Sequence, residues 1–438
     1  MADFPSKDLL PSIPTSSSSS SSSSIFTQQW SQLPKDLLDS ITNLLNLDDL
    51  FRFSYVCKTW NLVSSSLLPP NLNTPFLITP HEEIKHSSTS KTVDDYPTWN
   101  KTLGFFSLYN GKNYNVDVIQ MINRRICGSC NGGWLVTVHG NGEIQVLHPF
   151  SKIVIDLPPI AKLPNVISSY DKEKKELSYT VPLKLGQEEF MKEINSDWMR
   201  DSYVYKVIMS CSDVNKGIVM ALQGFRRKLA FCRVGKDKKW TIVNGDDNAR
   251  LADVTIYQGK FYTVRSSGQV FVVEGMENLC PTIKSFIRSP THLASDKYYL
   301  VESLGKLLLV TRSRYEPEVD CDLLEEDSDP ISYETTSFTV YRLDFNGPKW
   351  VEVSNLGKDR ALFVGFNQSF SLKTSDFPGC KGNCIYFTDD YVDHCLEEPV
   401  GGHDIGVYNL ASGIVQKCYP TDALVIKPSP IWFTTHSY

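Results

Sequence analysis

The sequence predicts a mainly β protein led by a small α-helical module, and three observations point there. The 438 residues include 20 Tyr, 22 Phe, 25 Gly and 24 Pro, a composition suited to short strands joined by tight turns. One short segment, residues 29–68, carries leucines at helical spacing. Beyond it, short apolar runs recur between Gly, Asn, Asp and Ser, the pattern of antiparallel hairpins.

Residues 1–28 read as a disordered leader, because the Ser16–Ser24 tract cannot bury enough apolar area to offset the entropy of ordering it. The helical module follows over 29–68. Pro34 suits the first turn of a helix, where its missing N–H costs nothing. Leu37, Leu38, Ile41, Leu44 and Leu45 follow at steps of three and four, giving one apolar stripe. Asn46 interrupts it and Asp48 is a good N-cap for a second helix carrying Leu50, Phe51 and Phe53. A third helix places Val56, Cys57, Trp60 and Val63 on one side, and Pro69-Pro70 ends the module. Residues 69–98 are polar and proline-containing and read as a linker with one short strand at "PFLIT".

Three such short helices hide only part of their apolar surface from one another. Fully burying a Leu, Phe or Trp side chain is worth about 1.5–3 kcal/mol, so exposing several is a liability unless a partner covers them. The competing arrangement is a helical hairpin packed on the protein's own large domain. The residues "LPKDLLDSITNLLNLDDLFRFSYVCKTW" resemble the F-box, with its Leu-Pro start, spaced Leu/Ile positions and closing Val-Cys-x-x-Trp. The resemblance implies a three-helix module that docks on a Skp-type adaptor of a cullin–RING ubiquitin ligase. It assigns Leu33, Pro34, Leu37, Leu38, Ile41, Leu44, Leu50, Phe53, Val56, Cys57 and Trp60 to that adaptor surface.

From about Trp99 to the C-terminus, strand patterns dominate: "GGWLVTVHGNGEIQVLHP", "VTIYQGKFYTVRSSGQVFVVEG", "YYLVESLGKLLLVTRS" and "SFTVYRLDFNGPKWVEVSN". Gly132-Gly133, Gly140-Asn141-Gly142, Gly259 and Gly305 fall at the expected turns. "KKWTIVNGDDNARLADVTIYQGKFYTV" and "PKWVEVSNLGKDRALFVGFNQSFSL" share a Lys-Trp pair followed by alternating apolar residues, a weak repeat that favours a β-propeller of four-stranded blades over residues 99–438. The repeat is too irregular to count blades, and a pair of β-sandwiches would use the same strands. "CNGGWLVTV", "LHPFSKIVIDLPP", "PGCKGNCIYFTDD", "DIGVYNLASGIV" and "IWFT" look like the C-terminal domain of unknown function in plant F-box proteins, a kelch-like or propeller-like domain. The stretch from about 161 to 250 is less similar. That resemblance carries over no catalytic residue.

The net charge of −6 and the lack of a Lys/Arg cluster argue against a nucleic-acid surface. The longest apolar runs are strand-sized, so no membrane span is expected. The N-terminus lacks the features of a secretory signal, and the sequons at Asn100 and Asn367 then read as chance. Eleven scattered cysteines suit reduced thiols in the cytoplasm or nucleus.

The C-x-x-C at Cys127 and Cys130 is followed by another strand rather than a helix, against a redox motif. A zinc site would have to recruit Cys380, Cys384, Cys395 or His394, and buried thiols are the plainer reading. The acidic run Glu316–Pro330 reads as a solvated loop. Asp389, Asp390, Asp393, His394 and His403 superficially suggest a hydrolytic metal centre, but Asp389-Asp390 directly after a strand reads best as a turn. No catalytic residue, metal or cofactor is therefore expected. The resulting expectation is a non-catalytic substrate receptor of an SCF-type E3 ligase, with an unknown target on the β domain. The alternatives are a regulator that binds the adaptor and blocks a partner without ubiquitination, and a propeller enzyme.

Overall fold

The computed structural model describes residues 30–67 (except 43, 46 and 55), 74–80, and 101–435 (except 174–175, 186–187, 246–249, 279, 291–294, 316–332, 392–401, 421–425 and 427). The expected Ser-rich leader, most of the expected linker, the acidic run Glu316–Pro330, and Asp393, His394 and Cys395 lie outside the described residues.

A 3-10 turn at Trp30–Gln32 leads into α1 (Lys35–Thr42), α2 (Leu47–Ser54) and α3 (Lys58–Leu67). Pro34 sits immediately ahead of α1, and its carbonyl accepts the N–H groups of Leu37 and Leu38. Helical spacing brings Leu38, Phe53 and Val63 into a small interior with Leu33, Leu45 and Trp60 packed around it. The Phe53 and Trp60 rings stack with centroids 4.2 Å apart. The Trp60 indole N–H donates to the Trp30 carbonyl at 3.0 Å, fixing the entry turn to α3. Since α2 already includes Leu47, Asp48 lies inside the helix rather than capping it.

The remaining strands form blades around an axis. Blade 1 contains β1 (Phe76–Pro80), β2 (Thr102–Ser107) and β3 (Asn113–Asp117); blade 2 contains β4 (Arg124–Cys130), β5 (Trp134–His139), β6 (Ile144–Leu147) and β7 (Val154–Leu157). A separate three-stranded sheet follows, β8 (Ile167–Asp171), β9 (Glu176–Leu185) and β10 (Glu188–Asn195). Blade 3 is β11 (Val204–Met209), β12 (Ile218–Gln223), β13 (Lys228–Arg233) and β14 (Thr241–Ile242). Blade 4 is β15 (Leu251–Tyr257), β16 (Lys260–Arg265), β17 (Val270–Glu274) and β18 (Thr282–Ile287). Blade 5 is β19 (Lys297–Ser303), β20 (Lys306–Tyr315), β21 (Glu334–Asp344) and β22 (Lys349–Glu352). Blade 6 has five strands, β23 (Arg360–Val364), β24 (Phe370–Lys373), β25 (Cys384–Phe387), β26 (Gly406–Asn409) and β27 (Ile414–Lys417), with β24 innermost and β23 parallel to β25. The last described strand is β28 (Ile431–Phe433), which pairs antiparallel with β1 and becomes the inner strand of blade 1.

This closure corrects the expected boundary. The strand at "PFLIT" is part of the propeller rather than of a linker, so the β domain begins at Phe76 and not near Trp99. Its partner Ile431–Phe433 lies at the other end of the sequence, out of reach of any local pattern. The less similar stretch from 161 to 250 begins with the inserted sheet β8–β10, which adds strands outside the blade repeat. The two Lys-Trp segments each run from the outer strand of one blade into the first strands of the next, around Trp240 and Trp350.

Successive residues of an inner strand face different neighbours, as the two-residue strand period requires. Tyr298 and Leu300 pack with Val264 and Val270 between blades 4 and 5, whereas Tyr299 and Val301 pack with Leu362, Ile385 and Phe387 between blades 5 and 6. Leu77, Phe363 and Trp432 join blade 6 to blade 1 and complete the ring. The inner strands share one sense. Gly133, in the turn after β4 with φ +80°, would bring a Cβ within 3.4 Å of Thr435 Cα, just past β28. Since β1 is antiparallel to β28, the chain arriving from α3 enters the propeller where the inner strands finish, and α2 lies against β3.

Candidate functional site

Two regions carry the residues singled out above. In the helical module, Leu38, Leu50 and Phe53 are buried, and Trp60 stacks on Phe53. These side chains hold the helices together and offer no face of their own. Leu37 (53% exposed), Ile41, Leu44 (87%) and Val56 stand in water, with Pro34 exposed beside them and Leu33 and Cys57 half-buried. Trp30 and Leu62, which sequence reasoning left out, are also exposed. The assigned set therefore divides into a packed interior and an outward apolar row.

The second region lies at the propeller axis, at the end where the inner strands begin. Asp389 and Asp390 follow β25, but in place of the expected turn they are buried, with their carboxyl groups bonded to side chains of neighbouring strands. The Arg312 guanidinium, on β20, reaches Asp390 at 3.4 Å and Asp404 at 2.7 Å, and also donates to Thr335 Oγ1 and the Thr388 carbonyl. Tyr299 donates its hydroxyl to Asp390 Oδ1 at 3.0 Å. The Lys206 ammonium pairs with Asp253 at 2.6 Å and donates to the Gly365 carbonyl, while Asp253 also accepts the Leu300 N–H.

Burial opposes ionisation of Asp390, but Lys297, Arg312 and Lys206 outweigh it and hold the carboxyl below the usual carboxylate range. Its neighbour behaves oppositely. Burial, reinforced by Asp404, pushes Asp389 up against the pull of Arg312 and His403. Asp389 accepts the Tyr333 hydroxyl at 2.6 Å and the Gly402 N–H at 2.8 Å. Burial and Asp389 push the Tyr333 phenol up, so it stays the donor. His403, grouped with these acids from sequence, lies 3.9 Å from Asp389.

The segment Gly365–Ser369 reaches across the axis. Gln368 donates its N–H to the Ser129 carbonyl on β4 and accepts the Met209 N–H of β11 on its side chain. Phe366 packs in the core shared by blades 1 to 4. A propeller enzyme would place its chemistry at this axis, where protein side chains stand. Asn367, the sequon residue, is fully buried and donates to the Phe363 and Gln368 carbonyls.

The two cysteine groups remain apart. Cys127 and Cys130 sit in the core between blades 2 and 3, while Cys384 lies in the core between blades 6 and 1 with Cys380 beside it. Burial pushes the Cys127 and Cys380 thiols up to about 12 and Cys130 higher still, which opposes thiolate formation. Among the described residues no group of three or more His, Cys, Asp or Glu is placed to hold a metal, and no helix is long and apolar enough to cross a membrane.

Sequence reasoning missed Lys206, Asp253, Lys297 and Arg312. One signal was present: each is a charged residue inside or at the end of an apolar strand run, as in "YVYKVIM", "LADVTIY" and "LLLVTRSRY". Such a charge must be paired if the strand is buried on both faces.

Residues 105–409 match the family described as KIB1-4 beta-propeller, and residues 30–70 match the F-box domain. F-box protein SKIP23 of Arabidopsis thaliana is 27% identical over 425 residues, covering 93% of this chain and 96% of that one. F-box protein At2g17036 of the same plant is 25% identical over 430 residues, covering 93% and 95%. A solved structure of a functionally unknown protein from Desulfotomaculum acetoxidans aligns over 83% of this chain and 99% of its own, at 8% identity and a TM-score of 0.35, too loose a superposition to add to the fold described above.

Proposed function

The chain belongs to the KIB1-4 beta-propeller family and is an F-box protein, and from that premise we propose that it is the substrate-recognition subunit of an SCF-type E3 ubiquitin ligase. The helical module holds a Skp-type adaptor, and the propeller holds a target protein. One observation carries this reading. The module's interior is already filled by Leu38, Phe53 and Val63, yet Leu37, Ile41, Leu44 and Val56 remain in water. Apolar side chains left over after packing are an interface awaiting its other half.

The receptor breaks no bond. It raises the local concentration of target lysines near the ubiquitin-loaded E2 carried by the cullin–RING assembly. Among the described residues, the propeller end where the inner strands begin lies opposite the end at which β1 starts, which sets it apart from the module.

The test is the affinity of the full chain for a purified Skp-type adaptor, with and without Leu37→Ala and Ile41→Ala together. Truncating central apolar anchors costs about 2 kcal/mol or more, a loss of roughly 30-fold. Since both side chains are exposed, the fold is expected to survive. Adaptor affinity that ignores both substitutions sinks the reading.

A further inference from the structure

Resting on that reading of the propeller as the target-binding part, we propose that a cleft between blades 5 and 6 captures the C-terminal carboxylate and last apolar side chain of the target polypeptide. The cleft lies where the inner strands β19 and β24 finish. Its volume is about 240 Å³, and Glu302–Leu304, Arg360 and Ser371–Lys373 line it together with Asp376 and Phe377. None of these residues belongs to the helical module, whose α2 lies against β3 of blade 1.

Strand periodicity builds the site. Tyr299 and Val301 pack with Leu362 in the apolar core between blades 5 and 6. Two residues on, Ser303 continues the same side of β19. On the facing blade, Ser371 and Lys373 of β24 pair with Leu362 and Arg360 of β23. The apolar core therefore gives way at this end to two serines, an arginine and a lysine. Ser303 and Ser371 are buried and share one hydroxyl bond at 2.8 Å. That bond uses one of their two protons, so the other O–H remains a donor.

Arg360 and Lys373 stand directly opposite each other in the antiparallel register, where like charges repel. The neighbouring acids are engaged elsewhere or only loosely. Glu302 accepts the Gly305 N–H at 2.7 Å, and Asp376 accepts the Ser375 hydroxyl at 3.2 Å and lies 3.9 Å from Lys373. Arg360 Nε is buried and has no hydrogen-bond acceptor among the described residues. A carboxylate between the two cations relieves their repulsion and can accept two parallel bonds from the guanidinium. A phosphate or an acidic run would set more negative charge against Glu302 and Asp376, so a singly charged group fits better.

The lip of the cleft points to the apolar part. Leu304 is 70% exposed and has φ +52°, a left-handed backbone conformation that Asn or Gly adopts more readily. A leucine at this position is favoured only when an apolar group covers it. Buried Leu372 and Phe377 add apolar surface to the lining. The volume falls below the roughly 300–1,000 Å³ of sites that enclose a small molecule. It suits one residue and its carboxylate at the end of an extended chain.

The experiment uses the full chain and labelled hexapeptides ending in Leu, Phe, Ser or Lys, each as carboxylate and as amide, read by fluorescence anisotropy. The carboxylates ending in Leu or Phe are expected to bind, and their amides about 10-fold more weakly. Arg360→Gln is expected to cost about 10-fold in affinity and Lys373→Gln about 3-fold. Leu304→Asn is expected to weaken the Leu and Phe peptides about 3-fold, and Lys284→Gln, in an exposed pair on blade 4, to change nothing. Because Arg360→Gln removes one of two opposed cations, its melting temperature is expected to hold or rise. A lower melting temperature means that the guanidinium is matched within the chain, and overturns the proposal. No carboxylate peptide bound, amide and carboxylate bound alike, or affinity indifferent to Arg360 each overturns it too. N-acetyl-leucine binding as tightly as the hexapeptides also overturns it, because the ligand is then a small acid rather than a chain end. Adaptor affinity, measured on the same proteins, is expected to be unchanged. Wild-type chain that fails to bind adaptor strikes the ligase reading and leaves the peptide result standing.

Discussion

The helical module and the propeller invert the usual placement of side chains in opposite ways. The module leaves Leu37, Leu44 and Val56 in water, whereas the propeller withdraws Arg312, Lys206, Asp253 and Asp390 from it. The difference follows from size. Three short helices have much surface for their volume, and among the described residues their interior is the small cluster of Leu38, Phe53 and Val63 with Leu33, Leu45 and Trp60 around it. A closed ring of blades has interior to spare, and it can hold charges provided that each finds partners. On the proposed reading the exposed apolar groups belong to an intermolecular contact, while the buried charges pair within the chain.

The sharpest way to break this comparison is at Arg312. Replacing it by Ala leaves Asp390 and Asp404 buried without their guanidinium, and we expect a loss of about 3–5 kcal/mol in urea unfolding with adaptor affinity intact. A loss within 1 kcal/mol would show that water, not Arg312, satisfies these acids. The adjacent carboxylates sharpen the point. Asp390 has a depressed folded pKa, so its stabilising contribution is complete above the ordinary carboxylate value of about 3.9 and is lost as pH falls below it. Asp389 has a raised pKa, so its charged form costs stability as pH climbs through the raised value. At pH 7 Asp390→Asn is therefore expected to destabilise the chain, and Asp389→Asn to stay within about 1 kcal/mol of wild type.

A contrast of similar scale separates interior from interface inside the module. Phe53→Ala removes a ring from the module's core and is expected to cost about 3–5 kcal/mol of local stability, read as faster amide exchange in α1 to α3. Leu44→Ala, at an exposed position, is expected to change stability by no more than about 0.5 kcal/mol while weakening adaptor binding. Equal effects of the two on stability would mean that Leu44 is packed after all. The smallest expected effect is at the Asp49–Arg52 pair on α2, 2.9 Å apart with both side chains about half exposed. Asp49→Asn should cost about 0.3–0.5 kcal/mol at low salt and nothing measurable in 1 M salt.

Much of this was legible in the chain. The Leu37 to Leu45 spacing announces an amphipathic helix, and the Gly-punctuated runs announce hairpins, because both patterns are local. Gly132, Gly133, Gly142, Gly259 and Gly305 all take up positive φ, as tight turns require. Even the weak Lys-Trp repeat reflects a real structural unit that straddles two blades. Periodicity placed Leu37 and Leu38 on one stripe, yet it could not tell which of them the other helices cover. Leu38 meets Phe53 and Val63 while Leu37 does not, and that depends on crossing angles no single helix specifies.

The sequence by itself determined that a small helical module precedes a large domain of antiparallel strands, since strand, turn and helix signals act over a few residues. Only the tertiary structure decided that Phe76–Pro80 pairs with Ile431–Phe433 to close the ring of blades, and that Asp389 and Asp390 are buried carboxyl groups rather than a turn. Ring closure and charge pairing join residues far apart in the chain, so their free energy exists only once the blades have come together.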